Sequence, residues 1–395
     1  MNNNSFDLSR DQRSTIEAPI NSKIFLEGYA GTGKTTVGVE RLRLLLENGI
    51  PGNQILLLVP QRTLARSYYD LLHSAETTAS GAVTVLTIGG LAKRMVELFW
   101  PIAAQEAGFA HPDQQPTFLT LETAQYYMAH LVQPLFGQGF FEAVTIERNR
   151  LYSQIIDNLN KAAAVGFPHT DISARLKSAW AGDPGQAHIY EDAQYCATLF
   201  REFCLEHNLL DFSLQLEIFS QHIWPSEICR DYLLNNYHHL IVDNLEEDIP
   251  VTYDLLNEWL PVFDSALLIF DLEAGYRQFL GADPQTTYTL KDKCDLNPIF
   301  SDSFVSSESV QSFGLALAQS LRFNEPAPTD ISNSSFPISY PPLDETRFYP
   351  QMLDWVVDQI ENLVENGVPP GEIVVLSSYL SDALRFSLSE RLTER

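Results

Sequence analysis

The apolar positions in the first hundred or so residues repeat one plan. "KIFLEGYAGTGKTTVGVERLRLLLENG" (23–49) reads as a short apolar strand, a glycine-rich turn and a helix. "QILLLVPQRTLARSYYDLL" (54–72) is a strand, a polar turn and a helix, and "AVTVLTIGGLAKRMVELF" (82–99) follows the same order. Strands alternating with helices predict a parallel α/β sheet. The strands are apolar throughout, as expected of strands covered on both faces.

From about Trp100 to Trp224 the pattern changes. Long amphipathic stretches such as "LETAQYYMAHLVQPLF" and "LYSQIIDNLNKAAAVGF" predict helices, with few strand signals. Then α/β character returns in "HLIVDNLEED", the helix "VTYDLLNEWL" and the strand "ALLIFDLEAG". A helical insertion inside one α/β domain is the expected arrangement. Residues 324–344, rich in Pro, Ser and Asn, read as a linker. Beyond it, "YPQMLDWVVDQIENLVENG" predicts a helix and "EIVVLSSY" a strand. The joint "LENGIP" (46–51) has an echo in "VENGVP" (364–369), each running from a helix end through a Gly stop towards a predicted strand. The echo suggests two related α/β units; the alternative is chance likeness of a common joint.

The chain has 395 residues, enough for two or three domains. Hydrophobic residues make up 45%, which supports real cores and excludes wholesale disorder. The formal charge of −26 argues against a chain coated in nucleic acid but leaves room for a local basic groove. Cys196, Cys204, Cys229 and Cys294 fit no zinc or redox spacing and read as free thiols in a reducing cytosol. "MNNNSFDLSRDQ" has no apolar signal core, and no apolar run approaches the roughly 18 residues of a membrane span. A cytoplasmic protein with no membrane partner is therefore expected.

The strongest chemical signal is "GYAGTGKT", Gly28 to Thr35, a full match to G-x-x-x-x-G-K-[ST] between a strand and a helix. Gly28, Gly31 and Gly33 let the backbone turn its N–H groups towards phosphate oxygens, with Thr32 and Thr36 beside them. Lys34 should reach the terminal phosphates, and Thr35 should ligate Mg²⁺. ATP and Mg²⁺ are the expected ligands. Gln12 precedes the loop and can read an adenine edge, although a surface glutamine is the plainer reading.

Taken in order, these segments resemble the UvrD/Rep-like superfamily 1 DNA helicases. "LSRDQR" looks like their adenine-reading motif and "GYAGTGKTT" their phosphate loop. "ILLLVPQRTLARSYYDLL" and "VTVLTIGGLAKRM" look like their two single-stranded-DNA segments. "NLLDFSLQLEIF" (208–219) looks like the exit from the helical insertion, "LAQSLRFN" (317–324) like L-x-Q-N-Y-R, and "GEIVVLSSYLSDALRFSLSERL" like the opening of a second motor lobe. The resemblance implies a P-loop NTPase fold with a RecA-like parallel sheet. The first motor lobe would span 1–100 and 231–325, interrupted by a helical insertion over 101–230. A linker and the start of a second RecA-like lobe would occupy 326–395. Lys34 and Thr35 would hold phosphate and Mg²⁺, Asp243 would hold Mg²⁺, and Arg322 would contact the γ-phosphate. Thr63 and Thr87 would meet phosphates of single-stranded DNA; capping or turn hydroxyls are the alternative.

The sequence also departs from the family. Its Asp-Glu-x-Gln-Asp run is here Asp243, Asn244, Leu245, Glu246, Glu247, so an amide replaces the glutamate that polarises water. An amide can orient water but cannot accept its proton. Glu246 would share a face with Asn244 only if the strand continues. In "FDLEAGYRQFLGA" (270–282), Asp271, Phe279, Gly281 and Ala282 fit the next motif, while Ala274 replaces a Gln and Leu280 an Arg. These losses, with Val-Pro in "LLLVPQRT", look like the AddB-type subunits of nuclease–helicase complexes. That branch implies ATP and DNA binding with weak turnover, a second helicase or nuclease subunit as partner, and further sequence beyond residue 395. A non-enzymatic ATP-binding repair scaffold is the rival reading, and a small-molecule kinase a distant third.

Overall fold

In the computed structural model, residues 8–74, 81–182, 187–321, 341–342, 344 and 346–394 are described. They fall into two units, Met1–Val305 and Ser306–Arg395. The first opens with α1 (Arg10–Ile16), β1 (Lys23–Gly28) and α2 (Lys34–Glu47), followed by β2 (Ile55–Leu58) and α3 (Arg66–Leu72). A short third strand, β3 (Thr84–Leu86), leads into α4 (Ile88–Glu106). Thr87 caps α4 by accepting the Gly90 N–H at 3.0 Å. Two non-helical features punctuate α4: Phe99 departs from helical φ/ψ and Pro101 lies within the helix. Proline supplies no N–H and crowds the preceding turn, which accounts for the kink.

Helices then dominate: α5 (Leu121–Val132), α6 (Arg148–Val165), α7 (Ile172–Ala179), α8 (His188–Glu206), α9 (Phe212–Ile218) and α10 (Glu227–Asn236). The sequence pattern missed one feature here. Strands β4 (Thr117–Phe118) and β5 (Leu209–Leu210) pair in parallel, tying the entrance of this region to its exit. Two residues are too few to show alternation.

The chain returns to the sheet with β6 (His239–Val242), α11 (Pro250–Trp259), β7 (Ser265–Asp271), α12 (Pro284–Tyr288) and β8 (Ile299–Phe300). The strand order is β3-β2-β6-β7-β1-β8, and every pairing is parallel. Strand alternation divides the core in two. Phe25, Leu56, Leu58, Leu240, Val242, Leu268 and Phe270 face one side, in a cluster continuous with the helical region through Leu91, Phe200 and Leu214. Ile24, Leu26, Ile55, Leu57, Ile241, Leu267 and Ile269 face the other, against Val37, Leu42 and Tyr68. The helical region thus shares its core with one sheet face. All six parallel strands end on the same edge, so the turns after β1, β6 and β7 open side by side.

The second unit holds α13 (Glu308–Leu321), α14 (Tyr349–Glu365) and α15 (Asp382–Thr393), with Arg391 Nε donating to Asp354 Oδ1 at 2.7 Å. The strand expected in "EIVVLSSY" does not form: residues 373–377 are irregular, and Val374, Leu376 and Tyr379 are exposed. The local geometry nonetheless repeats that of β2. Gly49 and Gly367 stop their helices at φ 82° and 89°, each is followed by a 3-10 turn, and Ile55 and Ile373 leave it at φ/ψ −105°/122° and −97°/124°. What differs is pairing. β2 lies between β3 and β6, whereas an extended segment without a neighbour satisfies no ladder hydrogen bonds.

Cys196, Cys204 and Cys229 are buried and Cys294 half-buried, all as free thiols. Burial pushes the Cys196 and Cys294 thiols up to about 12, which makes them poor nucleophiles. Among the described residues no helix is long and apolar enough to cross a membrane.

Candidate nucleotide site and its neighbours

β1 delivers its last residue, Gly28, into a turn that only glycine permits at two places. Gly31 and Gly33 have φ of 80° and 77°. Both are also crowded: a Cβ on Gly31 would collide with Val305 and Ser303, and one on Gly33 with the Gln12 amide. Gly33 is the N-cap of α2 and provides no side-chain cap, so the first-turn N–H groups point into the space above. That space is a cavity of about 350 Å³ lined by Gln12, Gly31, Gly33, Lys34, Thr35 and Thr36, with Leu8, Asn244, Asp271, Phe304 and Val305.

Lys34 is buried at the cavity floor. Its Nζ donates to the Tyr29 carbonyl at 2.6 Å and lies 3.4 Å from Thr32 Oγ1. It pairs with Asp271 Oδ1 at 2.8 Å. Thr32 lies under the loop, its hydroxyl donating to the Tyr29 carbonyl and its own carbonyl accepting from Gln12 Nε2 at 3.2 Å. Gln12 also forms a capping box with Ser9, accepting the Ser9 N–H at 2.9 Å. The glutamine is thus placed at the cavity by two backbone anchors.

Thr35 hydrogen-bonds Asp243, which ends the β6 segment behind the loop. Asp243 accepts from the Tyr68 hydroxyl at 2.8 Å and from the Asn244 N–H at 2.9 Å. Burial pushes its carboxyl up, and burial beside Asp243 pushes the Tyr68 hydroxyl well up. The strand stops at Val242. Asn244 is left-handed at φ 57°, and a 3-10 turn follows over Leu245–Glu247. Asparagine tolerates that conformation better than glutamate would.

The acidic run therefore does not line the cavity as a continued strand would. Asn244 lines it, but Glu246 turns away and is buried. Glu246 accepts the Asp271 N–H at 2.9 Å and lies 3.4 Å from Asn244 Nδ2, and burial pushes it up to about 8. Glu247 accepts the Tyr276 and Arg277 N–H groups at 2.8 and 2.6 Å. Asp248, pushed up to about 7 by burial, sits beside Arg277, whose Nη1 donates to the Pro60 carbonyl at 2.8 Å. This run works as a brace for the turn after β7.

Thr63 and Thr87 do not line the cavity. Both lie past the ends of β2 and β3, on the same sheet edge as the phosphate loop. β3 is four strands from β1, about 19 Å at the usual spacing. The Thr87 oxygen accepts the Gly90 N–H of its cap, which leaves the hydroxyl hydrogen to donate. Arg322 lies outside the described residues.

The profile of the UvrD/REP helicase N-terminal domain matches residues 8–295, well over half of the chain and all the elements from α1 to β7. The chain belongs to the UvrD/REP helicase N-terminal domain family. That membership carries ATP-binding, helicase-like function and DNA binding in general terms. Among curated proteins none matches the chain.

UvrD/REP-type domains work with ATP and Mg²⁺, and these residues suit both. The cavity offers glycine N–H groups and the Lys34 ammonium for phosphate, with the Thr35–Asp243 pair for the metal. Among the described residues no set of three His, Cys, Asp or Glu side chains forms a metal cage, so Mg²⁺ would need nucleotide phosphate oxygens to complete its shell.

Three exposed aromatics stand near this edge; Phe279 fits a motif in the sequence, while nothing in the sequence pattern set Phe212 and Tyr276 apart from core aromatics. Phe212, 45% exposed, packs on Gly89 next to Thr87, and Gln215 Nε2 donates to the Gly89 carbonyl at 2.6 Å. Tyr276 and Phe279 stand edge-to-face on the turn braced by Glu247. The α9 end is held by a buried network in which Arg201 pairs with Asp211 at 3.2 Å and Glu217 at 3.1 Å.

Proposed function

We propose that this chain binds Mg²⁺-ATP in the Lys34 cavity and single-stranded DNA along the neighbouring sheet edge, as the first motor lobe of a helicase-related protein with slow hydrolysis. The observation that carries the reading is one cavity lined by Gly31, Gly33, Lys34, Thr35 and Asp271, with Asp243 buried behind it and hydrogen-bonded to Thr35. On binding, a phosphate replaces Asp271 as the anionic partner of Lys34. Thr35 and Asp243 would hold Mg²⁺, which would supply charge neutralisation for the phosphates. Thr32 and Thr36 complete the loop from Gly28, Gln12 reads the base, and Arg322 contacts the γ-phosphate.

Hydrolysis would proceed by in-line attack of water. Asn244 orients that water but cannot take its proton, and Glu246 and Glu247 are committed to backbone N–H groups. Turnover is therefore expected to be slow. The same commitment favours a second reading, a DNA-bound scaffold that holds ATP without hydrolysing it. Phe212, Tyr276 and Phe279 offer faces on which bases stack, beside phosphate contacts at Thr63 and Thr87. The repeated helix–Gly–3-10 joint at Gly49 and Gly367 supports a second α/β lobe beginning after the linker. The AddB-like branch, a second helicase or nuclease subunit, and a cytoplasmic setting in DNA repair or recombination complete the proposal.

The test is ATP turnover by the chain in its natural full length, with and without single-stranded DNA, beside Lys34→Ala. DNA-stimulated turnover lost in Lys34→Ala supports a motor. Tight ATP retention without turnover supports the scaffold. Absence of ATP binding would refute both.

A further inference from the structure

The aspartate behind the phosphate loop is bonded to a buried tyrosine of α3, and α2 carries a glycine where the tyrosine hydroxyl passes. We infer that Tyr68 is a positioning residue that orients Asp243 for Mg²⁺ and thereby sets how strongly the metal supports ATP binding, an inference that rests on the Mg²⁺-ATP reading above.

Tyr68 is fully buried, in the apolar cluster that includes Val37, Leu42 and Ile269. A phenylalanine would fill that place as well, so packing alone does not account for the oxygen. A hydroxyl in such surroundings costs free energy unless it is hydrogen-bonded. Tyr68 Oη meets that need by donating to Asp243 Oδ2 at 2.8 Å.

α2 is shaped to admit this bond. Gly38 lies one turn beyond Lys34 and Thr35 inside the helix, where glycine is less favourable than alanine. A Cβ at Gly38 would collide with Tyr68 Oη and crowd Ile269 Cδ1. The tyrosine ring is enclosed, so a side chain at Gly38 would displace the hydroxyl from Asp243.

The bond also fixes the carboxylate. Asp243 is buried and accepts from three groups: Tyr68 on Oδ2, the Asn244 N–H on Oδ1 at 2.9 Å, and Thr35. Thr35 belongs to the phosphate loop, and Asn244 to the same turn as Asp243. Tyr68 is the partner that anchors the carboxylate to a separate helix. A carboxylate held in this way keeps its orientation towards an entering cation, and losing such an outer partner typically costs about 10–100-fold in metal affinity.

The test is calorimetric binding of ATP, once with Mg²⁺ and once in a chelator without metal, to the whole chain and to Tyr68→Phe, Gly38→Ala and the double variant. Tyr68→Phe keeps the ring and is expected to weaken ATP about tenfold with Mg²⁺ and not at all without it. Gly38→Ala is expected to act in the same way from the opposite helix, and the double variant to lose no more than Tyr68→Phe alone. Equal losses with and without Mg²⁺ would mean that Tyr68 only packs α3 against α2, and unchanged Mg²⁺-ATP affinity would remove it from the metal site; either overturns the inference alone. If the unaltered chain binds ATP equally with and without Mg²⁺, Asp243 holds no metal and the inference fails while ATP binding stands. If it binds ATP in neither condition, the nucleotide reading fails with it.

Discussion

Glu246 holds Asp271 by its backbone: Oε2 accepts the Asp271 N–H at 2.9 Å, while the Asp271 carboxylate holds Lys34 at 2.8 Å. The acidic turn after β6 is thereby joined to the phosphate loop through the end of β7. A phosphate entering the cavity competes with Asp271 for the Lys34 ammonium. Asp271→Asn leaves that buried ammonium without its anionic partner and is expected to cost about 1–3 kcal/mol, discounted because Asp271 is partly exposed. The nucleotide-free melting temperature should fall by several degrees. The upward shift produced by ATP should exceed that of the parent, because the ligand restores the missing charge. Thermal melts with and without Mg²⁺-ATP check this, and an unchanged shift would show that Asp271 does not compete.

The role proposed for Asn244 in orienting water is the next test. Asn244→Glu combined with Ala274→Gln restores the groups the family uses, and turnover is expected to rise at least about tenfold, within the range of a general base. A stability loss near 1 kcal/mol should accompany it, since glutamate is strained at the φ of 57° recorded for Asn244. Steady-state phosphate release measures the gain. No gain would mean that the site lacks more than these two groups.

The pH dependence of stability carries a definite sign at Glu246. Burial raises its carboxyl from 4.5 to about 8, so the folded chain keeps a proton that the unfolded chain releases between those values. Stability therefore declines as pH rises through that window and levels off above about 8. Asp248, raised from 3.8 to about 7, acts in the same direction. Glu246→Gln keeps an oxygen for the Asp271 N–H and removes the ionisation. Its melting temperature should exceed that of the parent by a few degrees at about pH 8.5 and nearly equal it at about pH 5. An identical gain at both pH values would contradict the assignment.

On the DNA edge, Phe212→Ala should weaken single-stranded DNA binding by about tenfold, the usual cost of losing one stacked base. ATP affinity should not move, because Phe212 does not line the nucleotide cavity. Fluorescence anisotropy with an oligothymidine checks the first half and calorimetry the second. Unchanged DNA affinity would return Phe212 to a packing role against Gly89.

Much of this was written locally. The phosphate loop was legible because its requirements lie within a few residues: glycines at positive φ, a lysine at the helix start, an apolar strand before it. The central strands were legible because alternation assigns each side chain a face, as Phe25 and Leu26 do on opposite sides of β1. The brief strands β4, β5 and β8 gave no such signal. Nor could spacing reveal that Glu247 caps a turn some thirty residues away, or that Phe304 returns to cover Gly31.

Residue identity and short-range backbone geometry were enough for the phosphate loop, the parallel α/β plan and the asparagine that follows Asp243, since none of these needs a distant segment. Only the tertiary structure decided which carboxylates reach the cavity, what Lys34 pairs with, and that residues 373–377 stay unpaired despite leaving their turn with nearly the φ/ψ of β2. The reason is physical. Dihedral preferences act within a turn or two, whereas ion pairs, sheet ladders and cavity walls exist only where distant segments meet.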